Sequence, residues 1–453
     1  MAVFRKRLIF WLIKAYVKRW GKVITLSFIL GLLIFFGLAL GSKHILAMLP
    51  TEKKERIGVI GAYTADNLPF FITSNISRGL TKIAPDGSIQ PDIAKRWDVT
   101  NNGRTYTFHL DTSHTFSDGT PVTSKELGYK FANVKIDTNK DDAITFHLKD
   151  AYSPFLVTVS RPIFKQGYIG IGNYKLSGIK LNGNFVESLD ITSTKDRFYA
   201  RTYVFYPSEE SLKHAFALGE ITEAKGLTNQ KYRDVTFESY PTAKVTRSID
   251  YTKLVTLFFN TQDPFLSDKK VRNALTYALP NSFIHGERTV VPYPPTSIYI
   301  NPDVINRSQD LEHAKLLLDA ATNAASASAM PEVTITTAKR YITVADEVAK
   351  TWKNMGLKVK ITENESIPSS FQIYLGDFTL PRDPDQYVLW HSISDDNITK
   401  LRSQRLDKLL EDGRSLQNTD ERRKIYYDFQ KYMLDESPAA FLYFPYDYVV
   451  TRK

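Results

Sequence analysis

The chain has 453 residues, of which 43% are hydrophobic and 24% are charged, a composition typical of a folded protein with two or three domains. It contains no cysteine, which excludes disulfides, thiolate metal sites, cysteine nucleophiles and a lipid-modified cysteine anchor. The net charge of +10 is concentrated at the N-terminus, because residues 1–50 carry eight Lys and Arg side chains and no Asp or Glu. The remainder is nearly neutral, so we expect no nucleic-acid partner.

The first element in the chain is an uncharged stretch of 19 residues, Val23 to Gly41. A stretch of this length can cross a hydrocarbon core of about 30 Å. Cations precede it and few follow, which predicts a cytoplasmic basic segment at residues 1–22, a transmembrane anchor at residues 23–48 and a body outside the cell membrane. A cleaved signal peptide is the alternative interpretation, although its apolar core usually has only about 7–15 residues.

A short charged linker, Thr51 to Glu55, leads to a first predicted strand at residues 56–62 and then to a β-rich region. Alternation of apolar and polar side chains predicts two half-buried strands, at residues 106–110 and 144–148. Three turn dipeptides separate the strands of this region: Asp86-Gly87, Asn102-Gly103 and Asp118-Gly119.

The second half of the chain alternates strands and helices. Apolar spacing predicts a strand at residues 255–259, followed by a helix capped by Ser267. A strand at residues 333–337, a helix at residues 344–355 and a strand from Leu357 then form a βαβ unit, which predicts a parallel sheet.

The stretch from Phe371 to Ser392 starts as a strand and is broken by Pro381 and Pro384, which cannot donate to a sheet ladder. Charged and aromatic side chains surround the prolines. Such a turn at a strand end is compatible with the rim of a ligand site, but on local sequence alone an ordinary surface loop is the favoured interpretation.

A longer motif connects these elements to a known family. The run from Pro91 to Glu126, PDIA..W....NGRTYTFHL......SDGTPVTS.E, resembles the signature region of the family-5 extracellular solute-binding proteins. These are the oligopeptide and dipeptide receptors of ABC importers. The resemblance extends over nearly all of residues 56–453, with the further matching segments at residues 172–176, 209–220, 254–279 and 405–444.

The resemblance implies an α/β, two-lobed, periplasmic-binding-protein-like (type II) fold, with a reduced accessory β-rich domain and an N-terminal transmembrane helix. The accessory domain is reduced because fewer than 50 residues separate Lys125 from Gly172, where family members have a much longer segment. The expected boundaries are residues 56–82, 166–252 and 438–453 for lobe I, residues 83–165 for the accessory domain and residues 253–437 for lobe II, with crossovers near Ser248–Leu254 and Ser437–Leu442.

In the family, the stretch that matches Asp377 to Trp390 lines the cleft between the lobes. Peptide binders place an Asp three residues before the Asp-Pro pair, where it neutralises the α-amino group of the ligand. Here Leu380 occupies that position, so either a neighbouring Asp substitutes or the ligand presents no free amino terminus there. The candidate ligand-binding residues are therefore Leu380, Arg382, Asp383, Asp385, Tyr387, Trp390 and Asn260, with Asp377 as a further candidate for the amino group.

Each of these side chains also has a purely structural interpretation. Arg382 either binds a carboxylate bidentately or is a solvated surface side chain. Tyr387 and Trp390 either stack on the ligand or pack in the core. Asn260 either bridges the hinge and the ligand or caps a turn.

The chain lacks a His-Glu-x-x-His motif, a Gly-x-Ser-x-Gly elbow and a phosphate-binding loop, so we expect no enzyme activity, catalytic residue, metal site or cofactor. The expected function is that of a membrane-anchored extracellular solute-binding protein that captures peptides for an ABC transporter. Its partners would be the peptide, the permease subunits and the membrane. The alternatives are a surface sensor or structural module that does not transport, and a binder of a non-peptide solute such as a sugar oligomer or a metal chelate.

Overall fold

The computed structural model describes residues 2–48, 53–196, 198–304, 307–324 and 332–453, which separate into two compact units, Met1–Lys53 and Lys54–Lys453. The first unit consists of one helix, α1 (Ala2–Met48). Its stretch Leu8–Gly37 is long and apolar enough to cross a membrane, a property that signal sequences share. This stretch begins earlier than the predicted anchor, because the cations before Val23 are interspersed with large apolar side chains. The predicted linker from Thr51 lies partly outside the described residues.

The second unit contains twenty strands and nine helices within the described residues. The strands are β1 (Lys53–Ile60), β2 (Thr81–Ile83), β3 (Ile89–Pro91), β4 (Ala94–Thr100), β5 (Thr105–Leu110), β6 (Lys135–Lys140), β7 (Ala143–His147), β8 (Tyr174–Asn182), β9 (Phe185–Ser193), β10 (Tyr199–Tyr206), β11 (Glu223–Leu227), β12 (Lys231–Tyr232), β13 (Val235–Thr236), β14 (Ala243–Ile249), β15 (Lys253–Phe259), β16 (Gly286–Arg288), β17 (Glu332–Thr337), β18 (Lys358–Glu363), β19 (Ile373–Thr379) and β20 (Ala439–Arg452). The helices are α2 (Phe70–Ile76), α3 (Phe155–Thr158), α4 (Glu209–Leu218), α5 (Lys269–Tyr277), α6 (Leu311–Ala324), α7 (Ile342–Asn354), α8 (Tyr387–Trp390), α9 (Gln404–Ser415) and α10 (Thr419–Glu436).

A twelve-stranded sheet forms the framework of this unit. Its main order is β18-β17-β19-β15-β20-β11-β1-β10-β9-β8, and β14 and β16 also pair with β20. Strands β17 and β18 are parallel and are joined by α7, as the βαβ pattern predicts. Helix α7 packs on the sheet through a buried stripe that includes Val344, Val348 and Trp352. Its position is fixed further by Trp352, whose indole Nε1 donates to the carbonyl of Leu275 at 3.0 Å.

Strand β20 is shared by both halves of the sheet. Its residues 439–443 pair with β15, whereas its residues 446–452 pair with β14. Strands β14 and β15 are consecutive, so the chain passes between the two halves twice, at residues 250–252 and at residues 443–446. The second passage lies a few residues after the expected crossover, because pairing with β15 continues to Tyr443.

A smaller antiparallel sheet, in the order β4-β5-β7-β6, forms the β-rich region. Its core is aromatic: Tyr106, Phe108 and Phe146 are fully buried and Phe155 of α3 packs against them. The tight turn between β4 and β5 requires a positive φ, which Gly103 supplies at 82°.

One local prediction is wrong. The cap of α5 is Asp268, whose carboxylate accepts from the amide of Lys270, and not Ser267. The Ser267 hydroxyl instead donates to the carbonyl of Pro264.

Candidate functional site

Two neighbouring cavities lie in a cleft between an N-terminal wall, whose lining residues fall within 63–168, and a C-terminal wall, whose lining residues fall within 251–414 and which includes helix α10 behind them. The small cavity has a volume of about 440 Å³ and the large cavity about 950 Å³. Both volumes fall in the range of about 300–1,000 Å³ that is typical of small-ligand sites. The two cavities share seven lining residues: Phe70, Ser160, Pro162, Leu380, Pro381, Arg382 and Asp383.

The two walls touch at both ends of the cleft. Beyond the small cavity, the amide of Ile298 donates to the carbonyl of Asp86 at 2.9 Å. Beyond the large cavity, the amide of Ser153 donates to the carbonyl of Arg414 at 2.9 Å. The walls are therefore in contact beyond each cavity.

Asp383 is neutralised within the C-terminal wall. It is 8% exposed, and its two carboxylate oxygens accept from both terminal nitrogens of Arg422, with Nη1 and Oδ2 at 3.0 Å. Burial alone would lower the pKa of Arg422, but the charge of Asp383 outweighs it and raises the pKa. The Asp383 carboxylate also accepts from the amide of Asp385 at 2.9 Å. All of these contacts hold the loop together.

Asp385 is neutralised in the same way, by Arg414 of α9. Its Oδ2 accepts from Nε and lies 2.8 Å from Nη2 of that side chain, and its Oδ1 accepts from the amide of Tyr387. Asp377 is also paired, with Arg340 at 2.9 Å and with the hydroxyl of Tyr341 at 2.7 Å, and it lines neither cavity. All three neighbouring aspartates proposed to replace the missing amino-group anchor at Leu380 therefore have partners within their own wall.

Arg382 differs from its acidic neighbours because it extends between the walls. Its guanidinium carbon lies 3.3 Å from the centre of the Phe70 ring. Burial, together with the charge of Arg161 on the opposite wall, lowers the pKa of Arg382. Within the described part of the chain, neither Arg382 nor Arg161 is ion-paired with a carboxylate, so two unneutralised cations face one cavity.

Asp66 supplies the opposite charge on the N-terminal wall. This exposed side chain lines the large cavity, and no ion pair with a described cation forms there. It lies near Tyr168, whose pKa is raised by burial and by the charge of Asp66. The large cavity thus carries one unpaired carboxylate and two unpaired guanidinium groups.

Leu380 lines both cavities and contributes only apolar surface. Its side chain is 7% exposed and its amide donates to the carbonyl of Thr252 at 2.8 Å. Tyr387 lines neither cavity; it stacks on His391, with ring centres 4.0 Å apart, and lies under Arg414.

Trp390 and Asn260 also lie away from both cavities. Trp390 is 2% exposed, stacks on Phe258 in the core, and its Nε1 donates to Gln386 at 2.8 Å. Asn260 directly follows β15, and its side-chain amide group donates to the carbonyl of Phe371 and accepts from the amide of Gln262. In this conformation the structural interpretations of both side chains therefore apply.

Sequence reasoning missed Asp66 and Arg161. Arg161 directly precedes Pro162, as Arg382 directly follows Pro381, so a charged side chain next to a proline was an available signal for Arg161. Asp66 lies three residues before Pro69 and has no such local signal.

Residues 88–134 and 125–400 match the family described as bacterial extracellular solute-binding proteins, family 5 middle. The chain belongs to this family. Its members are substrate-binding proteins of ABC importers and are not enzymes. Among the described residues, no group of three or more His, Asp or Glu side chains could hold a metal ion.

Individual relatives agree with this assignment. The chain is 22% identical over 450 residues to the oligopeptide-binding protein OppA of Bacillus subtilis, an alignment that covers 81% of each protein. It is 27% identical over 306 residues to the nickel-binding periplasmic protein of Escherichia coli, with only 57% of each chain covered. The solved structure of the substrate-binding protein CtaP of Listeria monocytogenes has the same fold, with a TM-score of 0.72 and 19% identity over 88% of this chain and 94% of that one.

Proposed function

We propose that this family member captures short peptides in the closed cleft and delivers them to an ABC importer. The observation that carries the proposal is the set of unpaired charges around the large cavity, Asp66 against Arg161 and Arg382. A peptide with free ends has one ammonium and one carboxylate group. The similarity to the oligopeptide-binding protein OppA supports the same choice of ligand.

The physical reason is that a bound ligand covers these exposed charges and removes them from water. A charge removed from water must be paired, and a guanidinium group pairs best with a carboxylate, through two parallel hydrogen bonds. We assign the carboxylate of the ligand to Arg161 and Arg382, and its ammonium group to Asp66. Leu380 would then supply apolar contact to the body of the ligand, and not the contact to the amino group.

Ligand release and capture would use the two passages between the halves of the sheet, at residues 250–252 and 443–446. Hinge closure around a ligand is a common motion of two-lobed binding proteins, and the hinge residues lie where the chain passes between the lobes. The contacts at both ends of the cleft, Asp86 with Ile298 and Ser153 with Arg414, would break when the protein opens.

The test is thermal unfolding of the full chain in detergent, with and without defined tripeptides. A ligand at 100 times its Kd stabilises a protein by about 2.7 kcal/mol, so the melting temperature is expected to rise by a few degrees. The same tripeptides with an acetylated N-terminus or an amidated C-terminus are the controls, and we expect each to bind more weakly. If the free tripeptides and the controls capped at either end produce equal shifts, or if none produces a shift, the proposal is wrong.

A metal chelate is the second candidate, because one relative is a nickel-binding protein. The carboxylates of a chelate would suit Arg161 and Arg382 equally well. Neither cavity is lined by a histidine among the described residues, so the metal would need to bring its own ligands. Calorimetry with NiCl2 alone, with NiCl2 plus L-histidine and with tripeptides separates the two candidates. Binding heat with NiCl2 plus L-histidine, and no binding heat with tripeptides, would favour the chelate.

We further infer that Leu8–Gly37 keeps the body attached to the outer face of the membrane. The length of the helix and the basic residues before Val23 support an uncleaved anchor. N-terminal sequencing of the protein from membranes would decide this, since cleavage removes the basic segment. Co-purification with permease subunits would support transport, and its failure after crosslinking would favour a sensor or structural module.

A further inference from the structure

The boundary between the two cavities is formed by side chains from opposite walls. Phe70 is the first residue of α2, on the N-terminal wall, and its side chain is 38% exposed. It meets the guanidinium of Arg382, which lies between Pro381 and Pro384 on the C-terminal wall. Both residues line both cavities, so their contact stands where the two spaces adjoin.

Among the described residues, the Phe70 ring is in close contact with the Arg382 guanidinium. A cation over an aromatic face is attracted by the negative charge density of the ring, and the attraction grows when water is excluded. The prolines on either side of Arg382 restrict the backbone of its loop and so place this residue against the opposite wall. The contact stands between the two cavities, where a solute in the large cavity meets it.

The two cavities also differ in chemistry. The unpaired charges that suit the ends of a short peptide line the large cavity. The small cavity is lined mainly by aromatic side chains, prolines and hydroxyl groups; among its cations, Arg78 is paired with Asp92, with Nε and Oδ1 at 2.7 Å, and Arg382 is shared with the large cavity, whereas Lys82 has no ion pair among the described residues. It offers space for additional side chains of a longer peptide, and Phe70 stands between that space and the large cavity.

We propose that the contact between Phe70 and Arg382 divides the cleft and sets the length of the bound peptide. This inference rests on the proposed function and adds a size limit to it. A volume of about 950 Å³ is at the upper end for a single small ligand, so we expect the large cavity to hold a short peptide. A longer peptide requires the joined cavities, and therefore the removal of the partition.

The experiment compares the full-length protein with the variant Phe70→Ala. The matched control is Phe71→Ala, because Phe71 is equally exposed but packs on Tyr203 and lines neither cavity. The probes are an equimolar pool of dipeptides and tripeptides and an equimolar pool of heptapeptides, all with free ends. Native mass spectrometry gives the peptide lengths bound, and competition gives the relative affinities.

We expect the wild-type protein and Phe71→Ala to retain the short pool selectively. Phe70→Ala is expected to bind heptapeptides about tenfold more tightly than the wild type does, because the ring no longer blocks the way and Arg382 is released. A Phe70→Leu variant, which keeps apolar bulk but loses the ring, is expected to fall between the two. If Phe70→Ala does not fold, the Phe70→Leu variant can be used in the same comparison.

Two outcomes overturn the inference in distinguishable ways. If the wild type and the Phe70 variants select the same lengths, or if the wild type already retains heptapeptides, the partition has no role, while peptide capture stands. If neither pool binds to any of the proteins, peptide capture itself is wrong, and the size limit is rejected with it.

Discussion

The two walls of the cleft use their charged residues differently. On the C-terminal wall, Asp383 and Asp385 pair with Arg422 and Arg414 of the same wall. On the N-terminal wall, Asp66 and Arg161 remain unpaired within the described residues and face the large cavity. The acidic loop that is most conspicuous in the sequence therefore stabilises the fold, whereas two isolated charges opposite it are available to a ligand. A charge in a cleft is useful for binding only if its own wall has not neutralised it.

The largest expected effect comes from removing a neutralised carboxylate. Asp383→Asn leaves the guanidinium of Arg422 buried without its partner, and breaking a buried ion pair in this way costs about 3–5 kcal/mol. We expect the free energy of unfolding, measured by urea denaturation of the full chain, to fall by that amount. The control is Asp66→Asn, for which the change is expected to stay within about 0.5 kcal/mol, since exposed side chains contribute little. If Asp383→Asn and the wild type are equally stable, the Asp383–Arg422 pair does not stabilise the C-terminal wall, and the proposed difference between the two walls is wrong.

A smaller effect is expected on binding when an unpaired cation is removed. Arg161→Ala takes away a charge-assisted contact to the carboxylate of the ligand, which is worth about 1.5–3 kcal/mol. We expect the Kd for a tripeptide with a free C-terminus to rise by about 10-fold to 100-fold in calorimetry. The C-terminally amidated tripeptide should bind the variant and the wild type alike. A loss that is the same for both peptides would mean that Arg161 supports the cavity and does not pair with the carboxylate.

The smallest effect concerns Asp447 on β20, which lies just after the second passage between the two halves of the sheet. Burial and the nearby charge of Asp250 raise the pKa of Asp447 to about 6. A carboxyl whose pKa is raised on folding stabilises the protein when it is protonated. That stability is fully present below about pH 4 and is lost as the pH rises through 6.

The variant Asp447→Asn is neutral at every pH, so it avoids the loss of stability that ionisation of Asp447 causes in the wild type. At pH 8 we expect it to be more stable than the wild type by about 1 kcal/mol, an amount already reduced for the solvent screening of a half-buried group. At pH 4 the two proteins should unfold at the same temperature. A stability difference that does not change between pH 4 and pH 8 would exclude titration of Asp447 as its cause.

The sequence predicted elements that depend on local patterns. The βαβ unit of β17, α7 and β18 follows from apolar periodicity, and the solute-binding fold follows from the motif between Pro91 and Glu126. The position of Leu380 and Arg382 in the cleft could also be predicted, because a charged turn interrupted by prolines is recognisable from the local sequence alone.

What the sequence could not provide was the pairing between distant charges. Asp383 and Arg422 are 39 positions apart, and no local pattern predicts that α10 places Arg422 next to Asp383. The same limit applies to Trp390, since a tryptophan next to a charged loop fits a ligand platform and a core position equally well until its neighbours are known.

The shared strand β20 has a mechanical consequence. The two passages between the lobes lie side by side and are bonded to each other, since the amide of Asp250 donates to the carbonyl of Pro445 at 2.8 Å. A pair of strands bonded in this way behaves as a ribbon, which twists far more easily than it bends within its own plane. We therefore expect the protein to open by rotation about one axis, with an elastic restoring force that returns it to the closed shape.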